Sequence, residues 1–321
     1  MAQRIIRAAW IILAALLLAA CGGAGDEEGS PDGPGPQAVA YSGMGIDRLP
    51  GYTATFTAGF VGQGVAWTYQ LDLAADGMGG TLRSLRLEGV DPAIDLGDVT
   101  LTLLGDTQYM TGPGVGEAGC LIAPAGVDLE ASFPLPDDFL APGVIGPALR
   151  EAGQETVAGL MGTRYTAGGA LGEFSDVTAE IVIAEESGAV LRYDFSGQVA
   201  ETRFAGGEVG RLTWRFEVTS AAPAALAVPA ECVIAYPIPE DAADLVRLPG
   251  LILFESPRGR EEVVAYYQQT LAAQGWEVFA QPVTENETTV LSYAQGGEII
   301  TISIAATETG SSVQLFVEDR R

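Results

Sequence analysis

The chain has 321 residues, with 16 Lys+Arg against 42 Asp+Glu and a formal net charge of -26 at pH 7. This charge repels phosphate backbones, so no nucleic acid is expected as a partner. With 48% hydrophobic and 18% charged residues, the composition is that of a globular protein, and the length suggests two domains.

Two residue types are missing from the sequence. There is no His, and all 16 basic residues are Arg, so there is no Lys either. Without His there is no Ser-His-Asp relay and no imidazole metal ligand, and without Lys there is no Schiff base and no P-loop lysine. Chemistry based on carboxylates alone stays open. The composition therefore favours binding or a structural role, and no catalytic residue, metal site or cofactor is assigned.

The N-terminus has the pattern of a secretory signal. Arg4 and Arg7 are followed by the apolar run 8–20, which spans 13 residues. At about 1.5 Å per residue this run is too short to cross about 30 Å of hydrocarbon, but it fits the hydrophobic region of a signal peptide. Residues 1–20 are therefore predicted to be a signal peptide.

The end of this run, Leu18-Ala19-Ala20-Cys21, resembles the lipobox of bacterial lipoproteins. The resemblance implies that the Cys21 sulfur receives diacylglycerol and that cleavage makes Cys21 the acylated N-terminus. We then expect a lipid-anchored protein on the extracytoplasmic face of the cell membrane, either periplasmic or extracellular. The alternative is an ordinary signal peptide in which Cys21 is incidental.

Residues 21–40 are predicted to be the acylated Cys21 and a flexible tether. Positions 22–40 contain six Gly, three Pro and four acidic residues. Such a segment cannot bury a core, so it would hold the folded part away from the membrane. The membrane is thus the partner expected at the N-terminus.

The other two cysteines, Cys120 and Cys232, form an even pair in an exported protein. This count favours one disulfide over two free thiols. A metal site is disfavoured, because two thiolates without His do not complete a tetrahedral set.

Residues 41–232 are predicted to form an antiparallel β domain. Large apolar residues alternate with polar residues at period two, which is typical of strands with one buried and one wet face. Short turn signals such as Asp76-Gly77 and Gly206-Gly207 separate the strands. The clearest alternating runs are 52–60, 65–73, 99–103, 177–183, 191–195 and 212–218.

One insertion, residues 133–152, interrupts this alternation with Pro and Gly. It predicts a short helix around Pro147 to Ala152 and a segment that lies across the apolar face of a curved sheet. A sheet with one apolar concave face and sparse helical cover either packs shut or encloses a lipophilic cavity. The sequence leaves both outcomes open.

Together with the lipobox, the tether and the long alternating strands, the stretch Glu155-Thr156-Val157-Ala158-Gly159 carries a family resemblance. These features resemble the LolA-like lipoprotein carrier superfamily, in particular mycobacterial lipoproteins of the LppX/LprG type. The resemblance implies an open half-barrel sheet, helices over its concave side and a hydrophobic cavity for acyl chains. The alternative is a filled core without a ligand.

Residues 236–321 are predicted to form a second, small domain after the extended junction Tyr236-Pro237-Ile238-Pro239. A strand at 251–254 precedes a helix over 260–274, which ends at Gly275 as a left-handed cap. Three strands follow, at 289–293, 298–304 and 312–317. This order predicts one helix packed on an antiparallel sheet.

The end of the predicted helix, with Tyr267, Leu271, Gly275 and Trp276 in a Y-x-x-x-L-x-x-x-G-W pattern, is similar to a small module of bacterial lipoproteins. That resemblance implies no activity. Trp276 follows a helix cap, where an aromatic residue is more often part of the core than a binding residue.

The predicted fold class is therefore mainly β with an α+β part: a curved antiparallel half-barrel sheet with sparse helices, followed by a small two-layer α+β domain. We expect an exported, membrane-anchored, non-enzymatic lipoprotein that binds or carries a lipid-like apolar ligand. The alternative is a structural or protein-interaction lipoprotein of the cell envelope with a filled core. The ligand-binding residues are not assigned from the sequence.

Overall fold

Residues 41–89, 98–115 and 119–319 are described by the structure, which is a computed structural model. The predicted signal peptide, the lipobox residues Leu18, Ala19 and Ala20, the acylation site Cys21 and the tether lie outside these ranges. Within the described ranges, no helix has the length and apolar character needed to span a membrane.

Strands dominate the described part of the chain. The strands of the N-terminal part are β1 Tyr52–Gly62, β2 Ala66–Ala75, β3 Thr81–Glu88, β4 Val99–Leu104, β5 Thr107–Thr111, β6 Cys120–Pro124, β7 Arg150–Val157, β8 Leu160–Leu171, β9 Phe174–Ala184, β10 Val190–Glu201 and β11 Glu208–Ser220. The strands of the C-terminal part are β12 Ala243–Leu248, β13 Leu251–Ser256, β14 Glu277–Glu285, β15 Thr288–Gln295, β16 Glu298–Thr307 and β17 Gly310–Asp319.

The helices in the described ranges are few and mostly short. The α-helices are α1 Pro136–Phe139, α2 Pro142–Ile145 and α3 Arg260–Ala273. The 3-10 turns are Ile46–Arg48, Glu130–Ser132, Gly146–Ala148 and Ala230–Cys232.

All strand pairs are antiparallel. The N-terminal strands pair in the order β7-β8-β9-β10-β11-β1-β2-β3-β4-β5-β6. The C-terminal strands pair in the order β12-β13-β17-β16-β15-β14. Ile122 of β6 pairs with Arg247 of β12, which joins the two groups into one open, curved sheet. The predicted fold class is confirmed.

The alternation in β1, β2 and β11 places the predicted apolar residues on one buried face. In β1 the residues from Tyr52 to Phe60 at every second position are buried, while Thr55 and Thr57 are exposed. The same holds for the apolar positions from Trp67 to Leu73 in β2 and from Leu212 to Val218 in β11. Removal of these side chains from water is the main contribution to the stability of this core.

The segment after the insertion differs from the prediction. Instead of a helix over Pro147 to Ala152, the chain forms the 3-10 turn Gly146–Ala148 and then enters β7. Proline lacks an N–H group, which suits the first residues of a turn but does not favour a longer helix here. The chain from Arg150 onward instead pairs with Thr166 and the preceding residues of β8.

The Glu155–Gly159 motif forms the end of β7 and a tight hairpin. Val157 pairs with Leu160, so Ala158 and Gly159 are the two loop residues. Their φ angles, 50° and 83°, are both positive, as in the turns that match the twist of two-residue hairpins. Glycine accepts this backbone conformation without strain, which explains its position in the motif.

In the C-terminal part, α3 packs on one face of the sheet. Val263, Tyr267 and Leu271 are fully buried at spacings of four residues, as the sequence predicts. They form a second hydrophobic cluster with residues from four strands. The predicted strand near 251–254 and the three strands after the helix are present, and Gly275 has a φ of 87° at the helix end. Strands β12 and β14 were not predicted.

Cys120 and Cys232 are joined by a disulfide, which confirms the predicted pair. Their Cα atoms are 5.3 Å apart, and the bridge closes 112 residues of sequence. Both residues are buried beside Ile122, next to the place where β6 meets β12. The bridge therefore ties β6 to the 3-10 turn Ala230–Cys232 that precedes the C-terminal strands. The boundary between domains at 232 to 236 stays a prediction.

Candidate functional site: the aromatic face

The concave face of the N-terminal sheet carries a patch of aromatic side chains from β1, β2, β10 and β11. We call this patch the aromatic face; none of its members is more than 4% exposed. It is built by strand register, because residues opposite each other in neighbouring strands share a face. The members of the aromatic face are Phe56, Trp67, Tyr69, Tyr193, Phe195 and Trp214.

A small residue lies in the middle of this patch. Ala58 of β1 pairs with Tyr69 of β2 on one side and with Trp214 of β11 on the other. A methyl group between two large rings leaves room above the sheet for a side chain from another element.

That side chain is Phe139, at the end of α1. Its ring centroid lies 5.9 Å from those of Phe56 and Trp214, and 6.4 Å from those of Trp67 and Tyr69. Aromatic pairs at such distances are attractive in tilted or edge-to-face arrangements. We call the Phe139 side chain the plug; it is only partly buried, so solvent reaches one side of it.

The plug belongs to the predicted insertion, which does lie across the apolar face. Phe133, Leu140, Ile145 and Leu149 of this segment are buried in the same hydrophobic cluster as the aromatic face. The cover thus consists of irregular chain and two four-residue helices, rather than long amphipathic helices. Helices this short have no stability of their own and depend on their contacts.

One group of contacts holds α1 against the first described residues of the chain. The Tyr41 hydroxyl and the Met44 N–H both donate to the carboxylate of Asp137, each at 2.6 Å. We call Tyr41, Met44 and Asp137 the latch. Hydrogen bonds to a charged group contribute about 1.5–3 kcal/mol in net terms. Gly43 has a φ of 118°, and a Cβ there would lie 2.8 Å from an Asp137 oxygen, so the latch needs glycine at this position.

Burial changes the titration of the latch. It raises the pKa of the Asp137 carboxyl above its usual range, although the hydrogen bonds from Tyr41 and Met44 act in the opposite direction. Burial and the nearby Asp137 charge also raise the pKa of the Tyr41 hydroxyl, which therefore remains a donor.

Residues of the hairpin between β10 and β11 make a second group of contacts with the plug. The Arg203 guanidinium lies 4.7 Å from the centre of the Phe139 ring and donates to the Asp138 carbonyl oxygen at 2.7 Å. Phe204, the next residue, meets Trp67 edge-on with ring centroids 5.0 Å apart. Such a cation–π contact at an exposed site contributes about 0.5–1 kcal/mol.

Four polar atoms on the aromatic face are buried and have no hydrogen-bond partner among the described residues. They are Nε1 of Trp67, Nε1 of Trp214 and the hydroxyl oxygens of Tyr69 and Tyr193. Leaving a buried donor unsatisfied costs about 1–3 kcal/mol. Burial raises the pKa of both tyrosine hydroxyls, so they stay protonated.

The opposite, wet face of the same strands carries ion pairs. Arg192 of β10 contacts Glu155 from the sequence motif and Glu180 of β9, the latter at 2.5 Å. The hydrogen bond from Arg192 lowers the pKa of Glu155. Glu155 thus stabilises the sheet on its solvent-exposed face and does not reach the aromatic face.

An open depression of about 470 Å³ lies over β8 to β11. Its lining includes the acidic residues Glu180 and Asp194, which are paired with Arg192 and Arg215. Among the described residues, no three His, Cys, Asp or Glu side chains lie close enough together to hold a metal ion. The charged groups here are therefore accounted for by sheet-stabilising pairs.

The sequence assigned no ligand-binding residue, and the disulfide is the one assigned site that lies within the described ranges. Trp276, expected in the core, is half-buried with its ring 6.3 Å from that of Tyr236. Sequence reasoning did not identify the plug or the latch. The only signal for them was the break in alternation at residues 133–152.

Comparisons with known proteins give one match to a family model. A family model described as START domain-like matches residues 244–311, within the C-terminal part. No curated protein matches the sequence.

Among solved structures, the MucA/MucB complex of Pseudomonas aeruginosa is similar, with 14% identity, coverage of 85% of this chain and 90% of that chain, and a TM-score of 0.26. LprF from Mycobacterium bovis matches with 12% identity over 61% of this chain and 95% of that chain, at a TM-score of 0.32. A LolA superfamily protein from Nitrosomonas europaea matches with 10% identity, 86% and 88% coverage, and a TM-score of 0.19. A LolA superfamily protein is thus among the solved structures that this chain resembles, at low identity and a low TM-score.

Proposed function

We propose that this chain is an exported, membrane-anchored and non-enzymatic lipoprotein that binds a lipid-like apolar ligand on the aromatic face. In the unliganded protein, the plug occupies the position of the ligand. The observation that carries this proposal is the packing of Phe139 against four rings of the aromatic face from a helix of only four residues. Because α1 is so short, a movement of this helix alone would uncover the aromatic face.

The energies favour an acyl chain over a smaller ligand. Removing a partly buried Phe from its contacts costs about 1.5–3 kcal/mol, and breaking the latch adds a cost of similar size. Each buried methylene group contributes about 0.8 kcal/mol. A chain of about ten methylenes therefore offsets the opening cost, whereas a ligand with two or three carbon atoms does not.

The predicted anchor gives this binding site a position at the membrane. Acylation at Cys21 and a tether over residues 22–40 would hold the folded part at a root-mean-square distance of about 25 Å from the bilayer, as expected for a flexible chain of that length. The latch begins at Tyr41, directly after the tether. An extracytoplasmic binder at this distance could exchange ligand with the lipid layer.

Tryptophan fluorescence provides the test, because Trp67 and Trp214 belong to the aromatic face and Trp276 does not. Residues 22–321 are titrated with a fatty acid brominated in the middle of its chain, and bromine quenches tryptophan at contact. We expect saturable quenching that persists in Trp276→Phe and is lost in the double variant Trp67→Phe, Trp214→Phe. The unbrominated fatty acid is the control. Absence of quenching in the wild type would contradict the proposal.

A second candidate function is supported by strand β14. All nine of its residues are exposed, and Val278 and Val283 are each more than half exposed. Within the described residues β14 pairs with β15 and lies at the end of the strand order. An exposed edge strand with apolar side chains is suited to pairing with an extended segment of another protein.

In this second candidate function, the core is filled and holds no ligand, and β14 binds a protein partner. It predicts that the brominated fatty acid leaves the emission of Trp67 and Trp214 unchanged. It also predicts that Val283→Lys reduces association with the partner, while the same change at the exposed Val209 in β11 does not.

A further inference from the structure

The C-terminal sheet has two faces, and α3 packs on one of them. Ile252 of β13 and Leu315 of β17 point toward α3 and are buried in its hydrophobic cluster. Side chains alternate along a strand, so the residues next to these two point to the opposite face. On that side, Leu248 of β12 is 38% exposed and Phe316 of β17 is 39% exposed. The face opposite α3 is therefore apolar and accessible to solvent.

Strand register brings five apolar residues together on this face. Leu251 pairs with Phe316 on one side and with Leu248 on the other, and Leu253 pairs with Val246. None of the five belongs to a hydrophobic cluster of the described residues. Contiguous exposed apolar residues bordered by polar ones mark interaction sites. We call this patch the uncovered face; its members are Val246, Leu248, Leu251, Leu253 and Phe316.

Acidic residues border the uncovered face at both ends of its strands. Glu255 follows Leu253 by two residues and Glu318 follows Phe316 by two, so both point to the same side, and both are exposed. Because β13 and β17 are antiparallel, these two carboxylates lie at opposite ends of the patch.

No positive charge balances this border among the described strands. Arg247 is the only Arg in β12 to β17, and it pairs with Ile252, so it lies on the side of α3. The uncovered face thus combines an apolar centre with a border that is negative alone, and it is complementary to an apolar surface flanked by cations.

This border disfavours two other occupants. In a second copy of the chain, acidic borders would meet acidic borders, and each copy carries a formal charge of -26. An anionic lipid surface would be repelled in the same way. A helix has suitable dimensions, because α3 covers the other side with 14 residues and buries Val263, Tyr267 and Leu271 there.

We propose that the uncovered face binds an amphipathic α-helix of a partner protein, with Lys or Arg along both borders of its apolar side. The bound helix forms a layer opposite α3, so the C-terminal sheet is covered on both faces. Apolar contacts supply most of the affinity, and the ion pairs orient the helix. This surface goes beyond the proposed function, since it requires no lipid on the aromatic face. It also differs from the edge strand β14, because it uses a face of the sheet.

The test uses two synthetic peptides of the same length as α3. One has Leu on one helical face, Lys along both borders of that face and Gln elsewhere; the other has Glu in place of Lys. The full chain, purified in a non-ionic detergent, is titrated with each fluorescent peptide, and anisotropy measures the affinity. The Lys peptide is expected to bind about tenfold more tightly than the Glu peptide.

Variants and cross-linking locate the binding site. The double variant Leu251→Ser, Phe316→Ser is expected to weaken binding of the Lys peptide about tenfold. The matched control Val61→Ser, Val209→Ser changes valines that are 66% and 63% exposed in β1 and β11, and it is expected to bind like the wild type. A benzophenone on the apolar side of the Lys peptide is expected to cross-link the wild type in β13 and β17, which mass spectrometry identifies without any variant.

The charged border has a separate readout. Glu255→Gln with Glu318→Gln is expected to weaken binding of the Lys peptide about threefold and to reduce the loss of affinity as salt is raised. Equal binding of the Lys and Glu peptides by the wild type would overturn the inference, as would cross-links that lie outside β12, β13 and β17.

The other occupants give distinct results. Cross-links from a photoactivatable phosphatidylcholine to β13 and β17, in the same detergent, would assign the uncovered face to lipid. A dimer in sedimentation equilibrium that dissociates in Leu251→Ser, Phe316→Ser would assign it to a second copy. Either result would overturn the inference and leave the quenching test of the aromatic face unaffected.

Discussion

The ring of Phe139 is only partly buried, although it contacts four aromatic side chains. It stabilises the closed protein and, under the proposed function, competes with the ligand for the same surface. Phe139→Ala is therefore expected to lower the free energy of unfolding by about 2 kcal/mol, below the range for a fully buried Phe. Because the plug no longer has to be displaced, affinity for a fluorescent fatty acid is expected to rise about tenfold. Denaturant unfolding and probe titration measure the two effects.

Phe133, which is buried in the same segment, is the matched control for this residue. Phe133→Ala is expected to lower stability at least as much, without the gain in affinity. If both variants bind the probe like the wild type, Phe139 does not occupy the ligand position.

At the scale of elements, the latch holds helix α1, and the burial of Asp137 makes the stability of the folded chain depend on pH. The folded pKa of Asp137 is raised above its unfolded value, so the native state holds its proton to a higher pH. The contribution of this group to stability is full below the ordinary pKa of about 4 and is lost as pH rises through the raised folded value. Stability of the wild type relative to Asp137→Asn is therefore expected to decline with rising pH across this window.

Urea unfolding of both proteins from pH 4 to pH 7 measures this difference. Asp47→Asn, a change at an exposed carboxylate near the latch, serves as the control. A constant difference between wild type and Asp137→Asn over the whole range would contradict a raised pKa at Asp137.

Predictability also varies between elements for physical reasons. Strands β1, β2 and β11 have one fully buried face, so large apolar residues such as Phe56 and Trp214 recur at period two and reveal them. Strand β14 has all residues exposed, and its sequence contains Pro282, so no burial pattern marks it. Strand β7 is exposed at nearly every position and is defined by its pairing with β8. Sequence patterns therefore predict a strand where the burial of one face requires apolar residues at every second position. They do not predict a strand that is defined only by its backbone pairing.

At the scale of the whole molecule, the aromatic face could not be assigned from the sequence because it depends on register between distant segments. Ala58 becomes the centre of the patch only when Tyr69 and Trp214 pair on either side of it. Phe139 reaches the patch from a segment whose Pro and Gly residues carry no periodic signal. The disulfide was predictable, because three cysteines, with one of them in the predicted lipobox, leave a single pair.

The last prediction concerns the proposed attachment of the chain to a membrane through Cys21. Removing residues 1–20 leaves 14 basic against 42 acidic residues, a formal charge of -28 (14 minus 42), which opposes attraction to anionic lipid. Under the proposed function, anchoring then comes from acyl chains, and stable anchoring needs more than one. Cys21→Ala is expected to yield an unacylated protein in the soluble fraction, whereas Cys232→Ala stays acylated and membrane-bound. Fractionation and mass spectrometry of the N-terminal peptide measure both. Unchanged membrane retention of Cys21→Ala would show that acylation at Cys21 is not the anchor.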